Sequence, residues 1–262
     1  MAHLNVEDGA RPAPARQQAS GQADRPVADL TLEASLAFQW VIPASDEGTR
    51  HMRLYDYDAS GNCYKARLLL SLLGRDYERV AVDIFAGDTL TPEFGRLNPV
   101  RETPVLELDG GELVTQSNAI LWYLAEGTEF LPDDVLARAQ VVQWLSFEQE
   151  RIMGGIGGAR FLSLTRRAPR QVAPRFATGA RGLTALDSHL EERDFVVGDR
   201  CSIADVSIFA YTHVAPDAGY DLAAYPAVTA WLDRMTALRG FIDDLVPYPA
   251  NASPGLSRSI YD

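Results

Sequence analysis

Three groups suited to sulfur chemistry sit within four positions of one another: the hydroxyl of Ser60, the carboxamide of Asn62 and the thiol of Cys63, with Gly61 between. They stand where an alternating apolar run at 52–57 gives way to a helical pattern at 62–74, so they meet the first free N–H groups of a helix. A free thiol ionises near pH ~8.5, and little of it is thiolate at neutral pH. Lowering that value by about two units takes roughly 2.7 kcal/mol of preference for the anion. A hydroxyl donating to sulfur and a helix N-terminus directed at it both favour the anion, so this turn has the parts to hold a thiolate. Cys63 itself falls on an apolar stripe with Ala66, Leu70 and Leu73, which reads as a buried thiol.

The elements around the turn follow from periodicity. Gly74 stops the first helix. Residues 77–83 alternate like a second strand, and 92–96 make a short helical turn. Residues 105–108 and 112–115 flank Asp109-Gly110-Gly111, a hairpin signal, before a helix at 116–125. The order β-α-β-α-β-β-α predicts a mixed sheet in which the first connection is a parallel crossover and the last two strands are antiparallel. After Pro132-Asp133-Asp134 the strand patterns stop. Segments 135–153, 169–193, 202–214 and 226–238 carry helical periodicity, giving an all-helical domain at 133–245 and a loop-like tail at 246–262. Just after the first of these, Gly154-Gly155-Ile156-Gly157-Gly158 costs about 1 kcal/mol per glycine relative to alanine and reads as a break or flexible lip.

Composition narrows the function. Among 262 residues, 36 acidic side chains face 24 basic ones, a formal charge of -12 that repels phosphate backbones and anionic membranes, so nucleic acid and membrane are not expected partners. No apolar run is long enough to span a bilayer. Two cysteines, Cys63 and Cys201, and no leader pattern fit a reducing, cytoplasmic setting. His189 and His213 have no ligand spacing, so no metal is expected. Residues 1–50 read as a largely disordered extension, with the apolar segment 36–42 (LAFQWVI) as a possible docking piece. The bias that leaves Lys65 as the chain's single lysine fits high-GC bacterial coding.

Residues 98–106 (NPVRETPVL) and 116–120 (QSNAI) resemble the glutathione-site signature of the glutathione S-transferase family. Ser202-Ile203-Ala204-Asp205 is similar to that family's capping-box motif, and Ser60-Gly61-Asn62-Cys63-Tyr64-Lys65 to the active-site turn of its bacterial members. The resemblance runs from residue 52 to about 245 with the motifs in order. It implies an α+β chain: a thioredoxin-like domain at 52–128 followed by the all-helical domain.

The resemblance also implies roles. Ser60 aligns with the serine, and Asn62 with the asparagine, that donate to the sulfur of bound glutathione in different relatives. The Thr103-Pro104 bond is implied to be cis, with the Thr103 backbone pairing with the cysteinyl part of the ligand. Gln116 and Ser117 open a helix that takes the γ-glutamyl end, and Arg101 supplies a cation for the glycyl carboxylate. Gln116 stands where glutamate is usual, and Glu102 where relatives carry lysine, glutamine or a small polar residue. The expected co-substrate is glutathione or a related thiol. The expected partner is a hydrophobic electrophile held by Phe147, Arg151, Met153, Phe161 and Tyr211, with two copies of the chain pairing as a homodimer. Conjugation, reductive cleavage and isomerisation share the first step, and two alternatives use the same scaffold: a dedicated thiol-dependent isomerase or ether-cleaving or biosynthetic enzyme, and a non-catalytic thiol- or ligand-binding protein. Ser202 and Asp205 are expected to close a capping box, and Cys201 to be core packing.

Overall fold

The computed structural model describes residues 52–262; the extension at 1–50 and its segment 36–42 lie outside the described residues. Strand β1 (Arg53–Asp56) turns Leu54 and Asp56 inward in strict alternation, as an internal strand does. It pairs in parallel with β2 (Glu78–Ala81) and antiparallel with β3 (Val105–Glu107), and β3 pairs antiparallel with β4 (Leu113–Thr115). The sheet order β2-β1-β3-β4, with helices α1 (Gly61–Leu73) and α2 (Pro92–Leu97) between strands and α3 (Ser117–Ala125) after the last strand, is the mixed topology expected from sequence.

Helix α1 is buried along almost its whole length because it lies between the sheet and the second half of the chain. Two cations are carried inside with it, and each is paired, as burial of charge requires. Arg67 meets Asp56 of β1 at 2.7 Å and Asp244 at 2.9 Å, while Arg79 bonds to Asp56 and Asp58. Lys65 is taken up below.

The second half is helical: α4 (Val135–Phe147), α5 (Gly158–Leu164), α6 (Val172–Leu190), α7 (Ile203–Thr212) and α8 (Pro226–Thr236). Every residue of α7 is buried. Its N-terminus carries the expected capping box, and Asp205 also accepts from Val196 N–H and Trp231 Nε1–H. Cys201 is buried with its sulfur 3.8 Å from that of Met235, a packing role.

The glycine-rich stretch is a correction. No break occurs there: α4 runs through a π-helical segment, Glu148–Gly157, directly into α5. The glycines are contact points. A Cβ on Gly155 would lie 2.4 Å from the backbone nitrogen of Gly179 on α6, and Arg175 of α6 donates to the Gly154 carbonyl at 2.7 Å. Glycine lets two helix backbones touch, and that fixes the crossing rather than loosening it.

After α8 the chain returns to α1. Gly240, at φ +86°, passes so close to Ser71 that a Cβ would sit 2.7 Å from its carbonyl oxygen, and Tyr64 Oη donates to Ile242 O at 2.6 Å. The tail at 246–262 has only one 3₁₀ turn, Ala250–Ala252, yet it is anchored. Arg258 N–H donates to Phe85 O at 2.7 Å, and Asn251 donates to Asp83 at 3.0 Å. Arg167 donates to Tyr261 O, Asp262, Ala252 O and Ser257.

Candidate active site

Ser60 is the N-cap of α1: its backbone is extended and its Oγ accepts from Cys63 N–H at 3.3 Å. Accepting that bond leaves the hydroxyl hydrogen available to a second partner. Cys63 is completely buried, its sulfur accepts from Tyr57 N–H, and burial together with Asp56 pushes its thiol up to about 12 despite the hydroxyls of Thr103 and Ser60. It stays a thiol at physiological pH, so a reactive sulfur at this turn must come from a ligand.

Asn62, half-buried, faces the start of α3: its Oδ1 accepts from Ser117 Oγ at 3.3 Å. Ser117 in turn lies 3.5 Å from Lys65 Nζ, which forms an ion pair with Glu148 Oε1 at 2.8 Å. Both charged side chains are wholly shielded, and burial lowers the lysine's affinity for its proton while Glu148 opposes that shift. Glu148 also accepts from Asn118 at 3.2 Å and Gln149 at 2.8 Å, and Asn118 accepts from Ser207 of α7 at 2.6 Å. This polar network joins α1, α3, the π-helical segment and α7 directly behind the turn.

Of the residues assigned to the thiol site, Ser60, Asn62, Thr103 and Ser117 are brought together. The Thr103-Pro104 bond is cis, as expected. Gln116 is exposed at φ +69°, a conformation sparsely populated by residues with a Cβ, and such strain clusters at functional positions. Arg101 is occupied differently: one amino group donates to the Thr89 and Thr91 carbonyls, both at 2.8 Å, tying its loop to the turn before α2. Glu102 is exposed.

The five residues expected around an electrophile separate. The Tyr211 ring covers Gly61 closely enough that a Cβ there would lie 2.5 Å from it, and the same ring covers Gly157. Phe161 packs with the cluster of Tyr57, Ala59, Cys63 and Phe85 beside the turn. Phe147 instead packs on Trp144 at 4.9 Å, Arg151 pairs with Glu150 at 3.0 Å, and Met153 packs against the main core. What completes the wall is the tail: Tyr248 sits 5.8 Å from Phe161 and 6.3 Å from Phe85, and Tyr261 sits 5.0 Å from Phe161. Burial raises the phenols of Tyr57, Tyr211, Tyr248 and Tyr261, so all remain neutral hydrogen-bond donors.

Sequence reading missed this tail wall and the Lys65–Glu148 pair. A signal for the pair was present: one lysine in an arginine-rich chain, on a helix that had to be buried. Tyr248 and Tyr261 carried none, since they lie among Pro, Ser and Gly in a segment without periodicity.

A mixed four-stranded sheet followed by a helical bundle, with a capped first turn and a cis-proline facing it, defines a thioredoxin-like domain joined to an all-helical one. The model of the glutathione S-transferase N-terminal domain matches residues 59–126, and that of the C-terminal domain matches residues 172–238. The chain is 32% identical over 197 residues to a maleylacetoacetate isomerase of Mus musculus, covering 72% of this chain and 89% of the relative. It is 32% identical over 187 residues to a disulfide-bond oxidoreductase of Escherichia coli, covering 66% and 85%. A crystal structure of a glutathione S-transferase from Xanthobacter autotrophicus Py2 is 43% identical, with a TM-score of 0.71 over 75% of this chain and 97% of that one. The chain belongs to the glutathione S-transferase family.

Proposed function

We propose that this protein is an enzyme that binds glutathione, or a related small thiol, and presents its thiolate to a hydrophobic electrophile. The observation that carries the reading is the state of Ser60: its oxygen caps α1, its hydrogen is left to donate, and Asn62 and Ser117 stand beside it on adjoining helix N-termini. The Ser60 hydroxyl donates to the ligand's sulfur, which releases its proton to solvent. The thiolate then forms a bond to electrophilic carbon, and the leaving group departs with its electron pair. Ser117 and the N–H groups of α3 take the carboxylate of the γ-glutamyl end, and Thr103 pairs with the middle of the ligand. Arg101 is assigned the remaining carboxylate through its second amino group, since the first is held by the Thr89 and Thr91 carbonyls.

The test joins two measurements: retention on glutathione resin, and turnover of a generic aryl halide with glutathione. Retention with turnover supports the reading; retention without turnover supports a ligand-binding protein instead. A thiol-dependent isomerase is the second reading, favoured by relatives of that name. There the thiolate adds to a double bond and is expelled after rotation, so substrate is converted with no net loss of thiol. We place the protein in the cytoplasm as a homodimer. Val135, Leu136 and Val142 of α4 stay exposed in the single chain and support the pairing. A sedimentation mass of twice the 28.7 kDa chain is expected.

A further inference from the structure

Arg160, on α5, is 2% exposed. Its Nε donates to Asp217 at 2.9 Å, while its Nη1 is buried with no hydrogen-bond partner among the described residues. The Tyr248 ring lies 5.1 Å from the guanidinium, and the neighbouring Phe161 packs in the aromatic cluster beside the first turn. The same cluster holds a second orphan, the buried hydroxyl of Tyr57. Folded proteins rarely leave buried donors empty, so a donor that remains so calls for a partner such as water, an ion or a ligand group. Asp217 is 46% exposed at its side chain, so water solvates its charge, and the buried Nη1 of Arg160 is left without a partner on a guanidinium that lies against the Tyr248 ring. A donor of this kind favours an anionic acceptor over a neutral one of the same shape, because the bond is charge-assisted.

We propose that the electrophile this protein takes is an anion, with an apolar body against Phe161, Tyr211 and Tyr248 and a carboxylate received by Arg160. The inference rests on the thiol-transfer reading, and it sets the substrate class: carboxylated electrophiles rather than neutral hydrophobic ones.

The test uses matched compounds on the full-length protein. In calorimetric titrations, 3-nitrobenzoate is expected to bind about 10- to 100-fold more tightly than 3-nitrobenzamide, the range of one charge-assisted hydrogen bond. Equal affinities in the unmodified protein overturn the proposal, whatever any variant does. With glutathione, the ratio of kcat/KM for 4-chloro-3-nitrobenzoate to that for its methyl ester, each corrected for uncatalysed rate, is expected to fall by a similar factor in Arg160→Gln. A folded Arg160→Gln protein that keeps both preferences overturns the proposal as well. If neither chloroarene is turned over while 3-nitrobenzoate is still preferred, the anion site stands and the thiol-transfer reading fails.

Discussion

Lys65 Nζ lies 2.8 Å from Glu148 Oε1, and neither side chain has any exposure to solvent. The pair ties the first helix of the sheet half to the π-helical segment of the helical half, immediately behind Ser117 and Asn62. Removing one partner strands the other charge in a dry site. Lys65→Met is therefore expected to lose about 3–5 kcal/mol of stability, whereas Lys65→Met combined with Glu148→Leu recovers most of it because no lone charge remains. Urea unfolding of the two single variants and the double variant measures the cycle. Additive losses would show that the two charges do not depend on each other.

The close approach of Gly155 to Gly179 makes a second test. Gly155→Ala inserts a methyl group where backbone already stands, so it is expected to destabilise by about 1–3 kcal/mol, although alanine is the better helix former. The urea midpoint reads the sign. A flexible lip at this position would give a neutral or stabilising change.

These two sites show how the sequence was legible and where it was not. Alternation in β1, the Gly74 stop, the hairpin at Asp109-Gly110-Gly111 and the Ser202–Asp205 box are local signals, and each element formed where its signal lay. The glycines at 154–158 looked like weakness because propensity describes an isolated helix. Their reason is the backbone of α6 across from them, which no local pattern reports. Lys65 is marked only as the one lysine on a helix that had to be buried, and Glu148 and Arg160 are legible only once burial is known, since a charge reads as surface until the fold encloses it. The tail has no periodicity at all. Its order comes from single bonds to Asp83 and Phe85 and from Arg167, which binds four of its residues, all far away in sequence.

Tail anchoring depends on Arg167, which binds four residues of the segment at 246–262. Arg167→Ala is expected to speed backbone hydrogen exchange at Ala252 and Ser253 while leaving exchange in α7 unchanged. Unaltered protection at those two positions would mean that the aromatic contacts of Tyr248 and Tyr261 hold the tail by themselves.

Two histidines set an acid limit on stability. His213 stacks on Phe209 at 4.6 Å with Nδ1 2.7 Å from the Phe209 carbonyl, and burial lowers its pKa below the usual 6.5. His189 is lowered in the same sense, again mainly by burial. A lowered folded-state pKa means that the unfolded chain binds more protons, so this contribution is intact above about 6.5 and is lost as pH falls through the folded values. Unfolding free energy is expected to drop between pH 7.5 and 5.5, and to drop less in His213→Gln. An equal pH dependence in the variant would place the effect elsewhere.

The central claim is that the Ser60 hydroxyl holds a ligand's thiolate. Ser60→Ala also removes a helix cap, at a cost of about 1 kcal/mol of stability, so the decisive reading is the ionisation of bound glutathione rather than activity alone. An ultraviolet titration of the thiolate in the complex should show a depressed pKa in the wild-type protein and a value near that of free thiol in Ser60→Ala. It should be accompanied by a loss of about 10- to 1,000-fold in kcat/KM, or about 1.4–4 kcal/mol of anion stabilisation. Glutathione affinity should change less, because Ser117 and Thr103 hold the rest of the molecule, and Asn62→Ala should be the milder variant. A depressed thiol pKa that survives in Ser60→Ala and vanishes in Asn62→Ala would contradict the assignment and give the role to the amide.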